Sequence, residues 1–308
     1  MSWGDELIAE RLTPGQRITL GLYKKRLARS ARIFAQNRLA LVGLIMLGVV
    51  TLMALLAPVL APYDPTVNHY HGEGDPKILE RPTLEHPLGT THLAEDVLSQ
   101  LIWGSRISLF VGLMSGFVVL VVGVSVGLAA GYYKGWVDLV LMRFVDALYA
   151  IPAIPLVLVI TMFVGSSVWN VILAMALVLW RNMARIVRSE TLSISERPFV
   201  KAARASGAGD LRIMYIHIAP ILLPIVLVET TFVIGAAILI EAGLSFLGLG
   251  AGELMSWGTM LQLTFTTGAI RRAWWWVVPP GVAITGLVVA FFYISRGIED
   301  VTNPRLDR

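Results

Sequence analysis

The chain has 308 residues, of which 56% are hydrophobic and 15% are charged, with a mean hydropathy of +0.71 and a formal net charge of +4. A soluble domain carries about 25% charged residues, so this composition excludes soluble and disordered proteins. The sequence has no cysteine, which excludes disulfides, iron–sulfur clusters, thiolate metal sites and cysteine nucleophiles. What remains is a polytopic membrane protein.

Six apolar runs are long enough to cross a hydrocarbon core of about 30 Å as helices. They cover residues 39–61, 107–131, 137–164, 168–187, 221–249 and 276–294. The strict alternation of a membrane β-barrel is absent from these runs, so the predicted fold class is all-α with six transmembrane helices. The first run follows a long basic segment and is interpreted as an uncleaved anchor rather than a signal peptide.

The basic residues predict the orientation of these spans. Most Lys and Arg lie in 1–38, 188–218 and 296–308, which the positive-inside rule places on the cytoplasmic side together with both termini. Residues 39–295 then form the transmembrane domain, with external loops over 62–106 and 250–275. The stretch from Thr19 to Arg38 mixes basic and apolar residues and predicts an amphipathic helix on the inner membrane face, with a solvated basic tail as the alternative.

The internal segment 188–218 is the most informative part of the chain. Pro198 suits the start of a short alanine-rich helix, Gly207 suits its end, and Asp210 suits the cap of the next helix. Such a compact helix can sit in a groove of a partner protein and transmit motion to the adjoining spans; an ordinary amphipathic connector is the alternative. The candidate contact residues are Phe199, Val200, Lys201, Ala202, Ala203, Arg204, Ala205, Ser206 and Gly207.

Asp146 and Glu229 are acidic residues within the apolar runs, and Glu241 lies near the end of the fifth run. A carboxylate in a membrane span is expected to face protein or water, because its exposure to lipid is unfavourable. Asp146 is three residues after Arg143 and is predicted to pair with it, whereas Glu229 has no helical-neighbour cation. Both are candidates for lining a transport path or for contacting a partner subunit, and a purely structural role is the alternative.

Enzymatic and metal-binding functions find little support in the sequence. A membrane hydrolase would need Ser245 beside His217, but these residues are predicted at opposite sides of the membrane. His69, His71, Glu73 and Asp75 lie in a glycine-containing loop for which we predict no metal site. A channel or a secondary transporter remains possible from hydropathy alone, although neither explains the segment 188–218.

Several motifs resemble one family of bacterial transport proteins. Residues 201–208, followed by Ile213, His217 and Pro220, resemble the EAA loop of ABC importer permeases. The stretches 86–90, 96–99, 104–109, 127–133, 142–146, 241–250, 256–258 and 300–306 resemble, in the same order, the second permease subunit of the dipeptide/oligopeptide/nickel importer family. The chain departs from the family pattern at Lys201, where a glutamate is usual, at Ile221, and in 89–96 and 291–295.

The resemblance implies a type I ABC importer permease fold in a prokaryotic cell membrane. It implies a second homologous permease, two cytoplasmic ATPase subunits and an external solute-binding protein as partners. It also implies that the helix around 199–207 couples this chain to an ATPase. The sequence has no G-x-x-x-x-G-K-[ST] phosphate loop, so no cofactor is expected on this chain, and ATP and Mg²⁺ are expected on the partner ATPases.

Overall fold

The computed structural model describes residues 29–70, 74–252 and 254–302. In chain order its helices are α1 (Arg38–Leu55), α2 (Ala57–Leu60), α3 (Val97–Tyr133), α4 (Gly135–Tyr149), α5 (Ala153–Val164), α6 (Val168–Ser195), α7 (Pro198–Ala205), α8 (Asp210–Arg212), α9 (Ala219–Phe246), α10 (Trp257–Thr266) and α11 (Trp274–Thr302). A π-helical turn, Ile213–Ile218, joins α8 to α9, and a 3₁₀ turn, Ala269–Arg271, precedes α11. Residues 29–36 are helical and lead into α1.

Five helical units are long and apolar enough to cross a membrane: α1, α3, α6, the continuous unit from α8 to α9, and α11. The helices α4 and α5 pass the same test only as a pair, and they are bent by 89° at the break between them. The prediction of an all-α fold is confirmed, and the number of spans is six when this bent pair is counted as one. The predicted third run therefore forms two helices rather than one.

The bundle has two ends, which we name after the short helices found there. The α7 end holds α7, which connects α6 to the α8–α9 unit. The α10 end holds α10, which connects α9 to α11.

The helix α3 lies at the centre of the bundle because its glycines let two neighbours approach closely. A Cβ added at these glycines would fall within 2.6 Å of α6 or α9. Gly123, Gly127 and Gly131 face α6, and Gly112 and Gly116 face Ile238 and Ile234 of α9. The close packing predicts that α3, α6 and α9 form the rigid part of the molecule.

The structure differs from the predicted boundaries in three places. The helix α3 begins at Val97, because the Asp96 carboxylate accepts a hydrogen bond from the backbone N–H of Ser99 and caps the helix ahead of the purely apolar run. The helix α6 continues to Ser195, into the segment predicted to lie outside the membrane. The predicted loop 250–275 contains α10, which is too short for a span.

The predicted terminal segments are described only in part. Residues 1–28, which hold most of the predicted amphipathic helix, lie outside the described residues. The C-terminal segment that was predicted to begin at residue 296 starts inside α11, and residues 303–308 lie outside the described residues.

Candidate functional site

The helix α7 is the segment that the sequence singled out for partner contact. Pro198 is its first residue, where the missing N–H costs no hydrogen bond. The turn after it contains Gly207 at φ +80°, which confirms the predicted left-handed position. The helix is therefore short and sharply bounded at both ends.

The two faces of α7 differ in exposure. Val200 is buried and Ala203 is half-buried against the same hydrophobic cluster of the bundle. Phe199, Ala202 and Ala205 are exposed and lie one helical turn apart. We call these three residues the α7 outer face. The sequence grouped Ala203 with the contact residues, but its side chain packs on the protein itself.

The base of α7 is tied to the turn between α3 and α4. Glu196 forms ion pairs with Lys134 in that turn and with Lys201 at 3.3 Å, and these hydrogen bonds lower the pKa of the Glu196 carboxyl. On the other side, the Arg204 guanidinium lies 5.2 Å from the ring centroid of Tyr132. These contacts surround a cavity of about 360 Å³. Lys201, at the position where the family pattern has a glutamate, is thus part of an ion-pair network.

A ladder of ion pairs runs along α4 and α6. Beyond the Glu196 pairs, the Arg188 guanidinium donates two hydrogen bonds to Asp138, one of them at 2.6 Å. Asp146 lies 3.0 Å from Arg185 of α6, not beside Arg143 as its spacing in the sequence predicted. The basic face of α6 is therefore covered by the acidic side chains of α4.

Next to this ladder, a chain of polar side chains connects three helices. The Tyr149 hydroxyl donates to the Asn182 side-chain oxygen at 3.3 Å, and the Asn182 amide donates to the Glu229 carboxylate. The Arg185 guanidinium stacks 4.1 Å from the Tyr149 ring centroid. We call Asp146, Tyr149, Asn182, Arg185 and Glu229 the polar strip.

The polar strip is exposed at the surface of the chain although its residues lie on predicted spans. Asp146 and Arg185 have side-chain exposures of 52% and 49%, Asn182 and Tyr149 are exposed, and Glu229 is half-buried. Polar and charged groups on a membrane helix avoid lipid and face protein or water. The strip therefore marks a surface that faces either an aqueous path or another protein.

A second polar cluster, fully buried, lies at the α10 end. The Ser245 hydroxyl donates to the Glu241 carboxylate at 2.7 Å, and Ser256 donates to Ser245 at 3.2 Å. The Ser108 hydroxyl reaches Glu241 at 3.4 Å and accepts from the Trp257 backbone N–H. This network fixes α10 between α3 and α9. The sequence identified Glu241 and Ser245 but not their partners, which are remote in sequence.

The two residues that a membrane hydrolase would need are not brought together. His217 lies in the π-helical turn at the α7 end and Ser245 near the other end of the α8–α9 unit, about 40 Å apart at a rise of 1.5 Å per residue. His71 and Glu73 lie outside the described residues, so the predicted absence of a metal site in that loop stays a prediction.

The segment between α2 and α3 folds over the α10 end. His86 is fully buried with its Nδ1 3.0 Å from the Asp96 carboxylate. Gly89, at φ +66°, lies so close to Trp275 of α11 and to the Glu80 carbonyl that an added Cβ would fall 2.4 Å from that oxygen. The motif His86–Thr90 thus joins this segment to α3 and α11.

Replacing Gly89 with alanine is expected to destabilise the protein. The left-handed backbone costs alanine about 1–2 kcal/mol, and the clash with Glu80 and Trp275 adds about 1–3 kcal/mol. Thermal unfolding of the purified protein in detergent measures the loss. The matched control is Gly74→Ala, which has φ +92° but no neighbour within 4 Å and is expected to show only the backbone cost. Equal losses for the two variants would contradict the role of the close contact.

The sequence of the chain is similar to those of known membrane transport proteins. Residues 123–308 match the family described as binding-protein-dependent transport system inner membrane component, and residues 25–80 match the N-terminal TM domain of oligopeptide transport permease C. The dipeptide transport system permease protein DppC of Haemophilus influenzae is 37% identical over 89% of this chain and 92% of its own length. Its namesake from Alkalihalophilus pseudofirmus is 36% identical over 88% of this chain and 87% of its own length.

A putative peptide transport system permease protein of Brucella abortus is also 37% identical, over 90% of this chain. The family match covers more than half of the chain, and it includes α6, α7, α9 and all of the polar strip. The chain belongs to the family of binding-protein-dependent transport system inner membrane components and is a non-catalytic, multi-pass membrane permease subunit of an ABC importer.

Proposed function

We propose that this chain forms half of the pore of an ATP-driven importer for peptides or similar small solutes. Its partners are a second homologous permease, two ATPase subunits that bind ATP and Mg²⁺, and an external binding protein that delivers the solute. The names of the relatives, which are dipeptide and peptide permeases, support the solute class. No cofactor is proposed for the chain itself.

We place the α7 end on the cytoplasmic side of a prokaryotic cell membrane, with both termini on that side. The distribution of Lys and Arg supports this orientation, since α7 lies within the basic segment 188–218. The segment between α2 and α3 and the helix α10 then face the binding protein.

The observation that carries the proposed coupling is the α7 outer face. Phe199, Ala202 and Ala205 are exposed at the end of the bundle while Val200 anchors the same helix in the hydrophobic core. A helix held this way moves together with α6 and with the α8–α9 unit, to which it is joined. Closure of the ATPase subunits on ATP therefore tilts these spans, and the pore opens alternately to the two sides of the membrane.

In this proposal the polar strip lines the path of the solute through the pore. Asp146 and Glu229 are the acidic members of the strip and were the candidates from the sequence. Their hydrogen bonds to Arg185 and Asn182 cross from one helix to another. Movement of α4 relative to α6 and α9 alters these bonds, so the strip opens and closes with the helices.

The proposal predicts that uptake requires the whole assembly and ATP. The tagged chain is purified from its native membrane, its companions are identified by mass spectrometry, and the assembly is reconstituted in liposomes with the binding protein and a labelled peptide. We expect a second permease and ATPase chains, and uptake that stops without ATP. Uptake by a homo-oligomer of this chain without ATP would contradict the proposal and favour a channel or a secondary transporter.

A further inference from the structure

The break between α4 and α5 has the geometry of a discontinuous membrane span. The Lys134 side chain, just before α4, pairs with Glu196 at the α7 end of α6. After α5, the Val164 and Gly165 carbonyls accept hydrogen bonds from Asn170 near the opposite end of α6. The pair therefore runs from one end of the bundle to the other, and its 89° bend lies between these ends.

A break of this kind frees backbone carbonyls that a continuous helix would satisfy. The buried guanidinium of Arg181 takes up two of them: its Nη1 donates to the Leu148 carbonyl and, at 3.4 Å, to the Ile151 carbonyl. The same guanidinium lies 4.4 Å from the ring centroid of Tyr149. Within the part of the chain that the structure describes, no carboxylate lies within 4.0 Å of Arg181. Its polar contacts are therefore with the break itself.

The position of Arg181 makes this arrangement unusual. It lies about 20 Å from either end of α6, at the middle of a membrane-crossing helix. A buried cation within the apolar run 168–187 is unfavourable unless protein groups satisfy it. The other two arginines of α6, Arg185 and Arg188, lie nearer the α7 end and pair with carboxylates of α4.

The break also places irregular backbone at the exposed surface of the chain. Ala150, Ile151 and Pro152 are exposed, and none of the three belongs to a helix. Irregular backbone at membrane depth is tolerated where it is buried in protein or lines a water-filled cavity. Tyr149, immediately before the break, is joined by hydrogen bonding to Asn182 and through it to Glu229. The break is therefore continuous with the polar strip.

From these contacts we infer that the break at 150–152 lines the aqueous translocation path and that Arg181 is the positioning residue that holds it bent. The inference rests on the proposed function, because it assigns the break to the path of that importer. Since α4 is attached to Glu196 beside α7, motion of α7 reaches the break through α4. Arg181 holds the last turn of α4 and the start of the break against α6, so the motion is transmitted to the bend itself.

The absence of native cysteine makes the exposure of the break directly measurable. Ile151→Cys is placed in the assembled importer in membranes and treated with a charged, water-soluble thiosulfonate reagent. The control is Ile45→Cys on α1, which is 65% exposed on the helix with the least buried window among the spans. We expect Cys at 151 to react about tenfold faster or more, because the thiolate forms in water and not in lipid. Equally slow reaction at the two positions would overturn the inference.

The role of Arg181 is tested by a distance across the break. Spin labels on Val140→Cys in α4 and Phe163→Cys in α5, both exposed, report the bend by pulsed electron paramagnetic resonance. Arg181→Leu is expected to broaden the distance distribution and move its mean, and Arg181→Lys is expected to restore it in part. Arg143→Leu, which removes a charge from the exposed face of α4, is the matched control and should leave the distance unchanged.

An unchanged distance in Arg181→Leu would overturn the positioning role. Neither measurement depends on uptake, so failure of the proposed function is seen separately as loss of ATP dependence or of the partner subunits. A protein in which the thiol at 151 reacts fast but uptake needs no ATP would retain the aqueous break and contradict the ABC importer mechanism.

Discussion

Ala202→Trp is expected to abolish ATP-driven uptake while the protein still inserts and folds. Ala202 is exposed at the centre of the α7 outer face, between Phe199 and Ala205. An indole there forces α7 away from a closely fitting groove, and overpacking of a contact costs about 1–3 kcal/mol, which corresponds to about five- to 150-fold in binding. Uptake of a labelled peptide and ATP hydrolysis are measured on the same reconstituted assembly. We expect uptake to fall at least about tenfold while hydrolysis continues or the ATPase dissociates.

Two further variants separate docking from folding in this test. Ala35→Trp introduces the same side chain at an exposed alanine in the helical stretch 29–36, away from α7, and should leave uptake unchanged. Gly207→Pro disrupts the turn after α7, because proline cannot adopt φ +80°. This variant should also uncouple hydrolysis from uptake. Wild-type uptake in Ala202→Trp would show that the α7 outer face is not a docking surface.

The helix α7 could be predicted because its signals are local. Pro198 and Gly207 mark its ends, and the alanines between them favour a helix. Which alanine faces outward could not be predicted, because Ala203 is turned inward by the packing of Val200 against α3, α6 and the π-helical turn. That packing involves residues far away in sequence.

The break in the third span was missed for a related reason. The apolar run 137–164 continues through 150–152, so hydropathy gives no sign of a bend. Pro152 is a local signal of one, but proline occurs within membrane helices without breaking them, as Pro224, Pro279 and Pro280 do here. The contact that holds the bend comes from Arg181, on a different span from the break. Its target became apparent only with α4 and α6 side by side.

The ion pairs of the candidate site were beyond prediction because they join different helices. Asp146 has a cation three residues away, which makes Arg143 the natural choice by helical spacing. In the structure it pairs with Arg185, because the bend turns α4 along the α7 end of α6. Helical spacing ranks neighbours within one helix and carries no information about a neighbouring helix.

The second large effect is expected at the contact between α3 and α6, where Gly127→Leu should prevent folding. A Cβ at Gly127 would lie 2.6 Å from the Ala184 carbonyl oxygen and 2.6 Å from the Val187 Cβ. The carbonyl belongs to helical backbone and cannot rotate away, so the two helices must separate along a contact that also includes Gly123 and Gly131. We expect the free energy of unfolding to fall by about 3 kcal/mol or more. Proteins are only marginally stable, so a loss of this size leaves little folded protein in the membrane.

The measurement is the yield of monodisperse protein after extraction from the membrane, followed by thermal unfolding of what remains. The matched control is Gly48→Leu on α1, where no atom lies within 4 Å of an added Cβ and the leucine meets only open space. The two variants make the same chemical change in membrane helices, so a difference between them reports the helix contact and not the hydrophobicity of leucine. Because α6 carries both Arg181 and the attachment of α7, a shift of α6 on α3 also displaces the break and the α7 outer face together. Wild-type yield and unfolding temperature in Gly127→Leu would mean that α3 and α6 do not pack as described. That result would also contradict the described geometry of the break and of the α7 outer face.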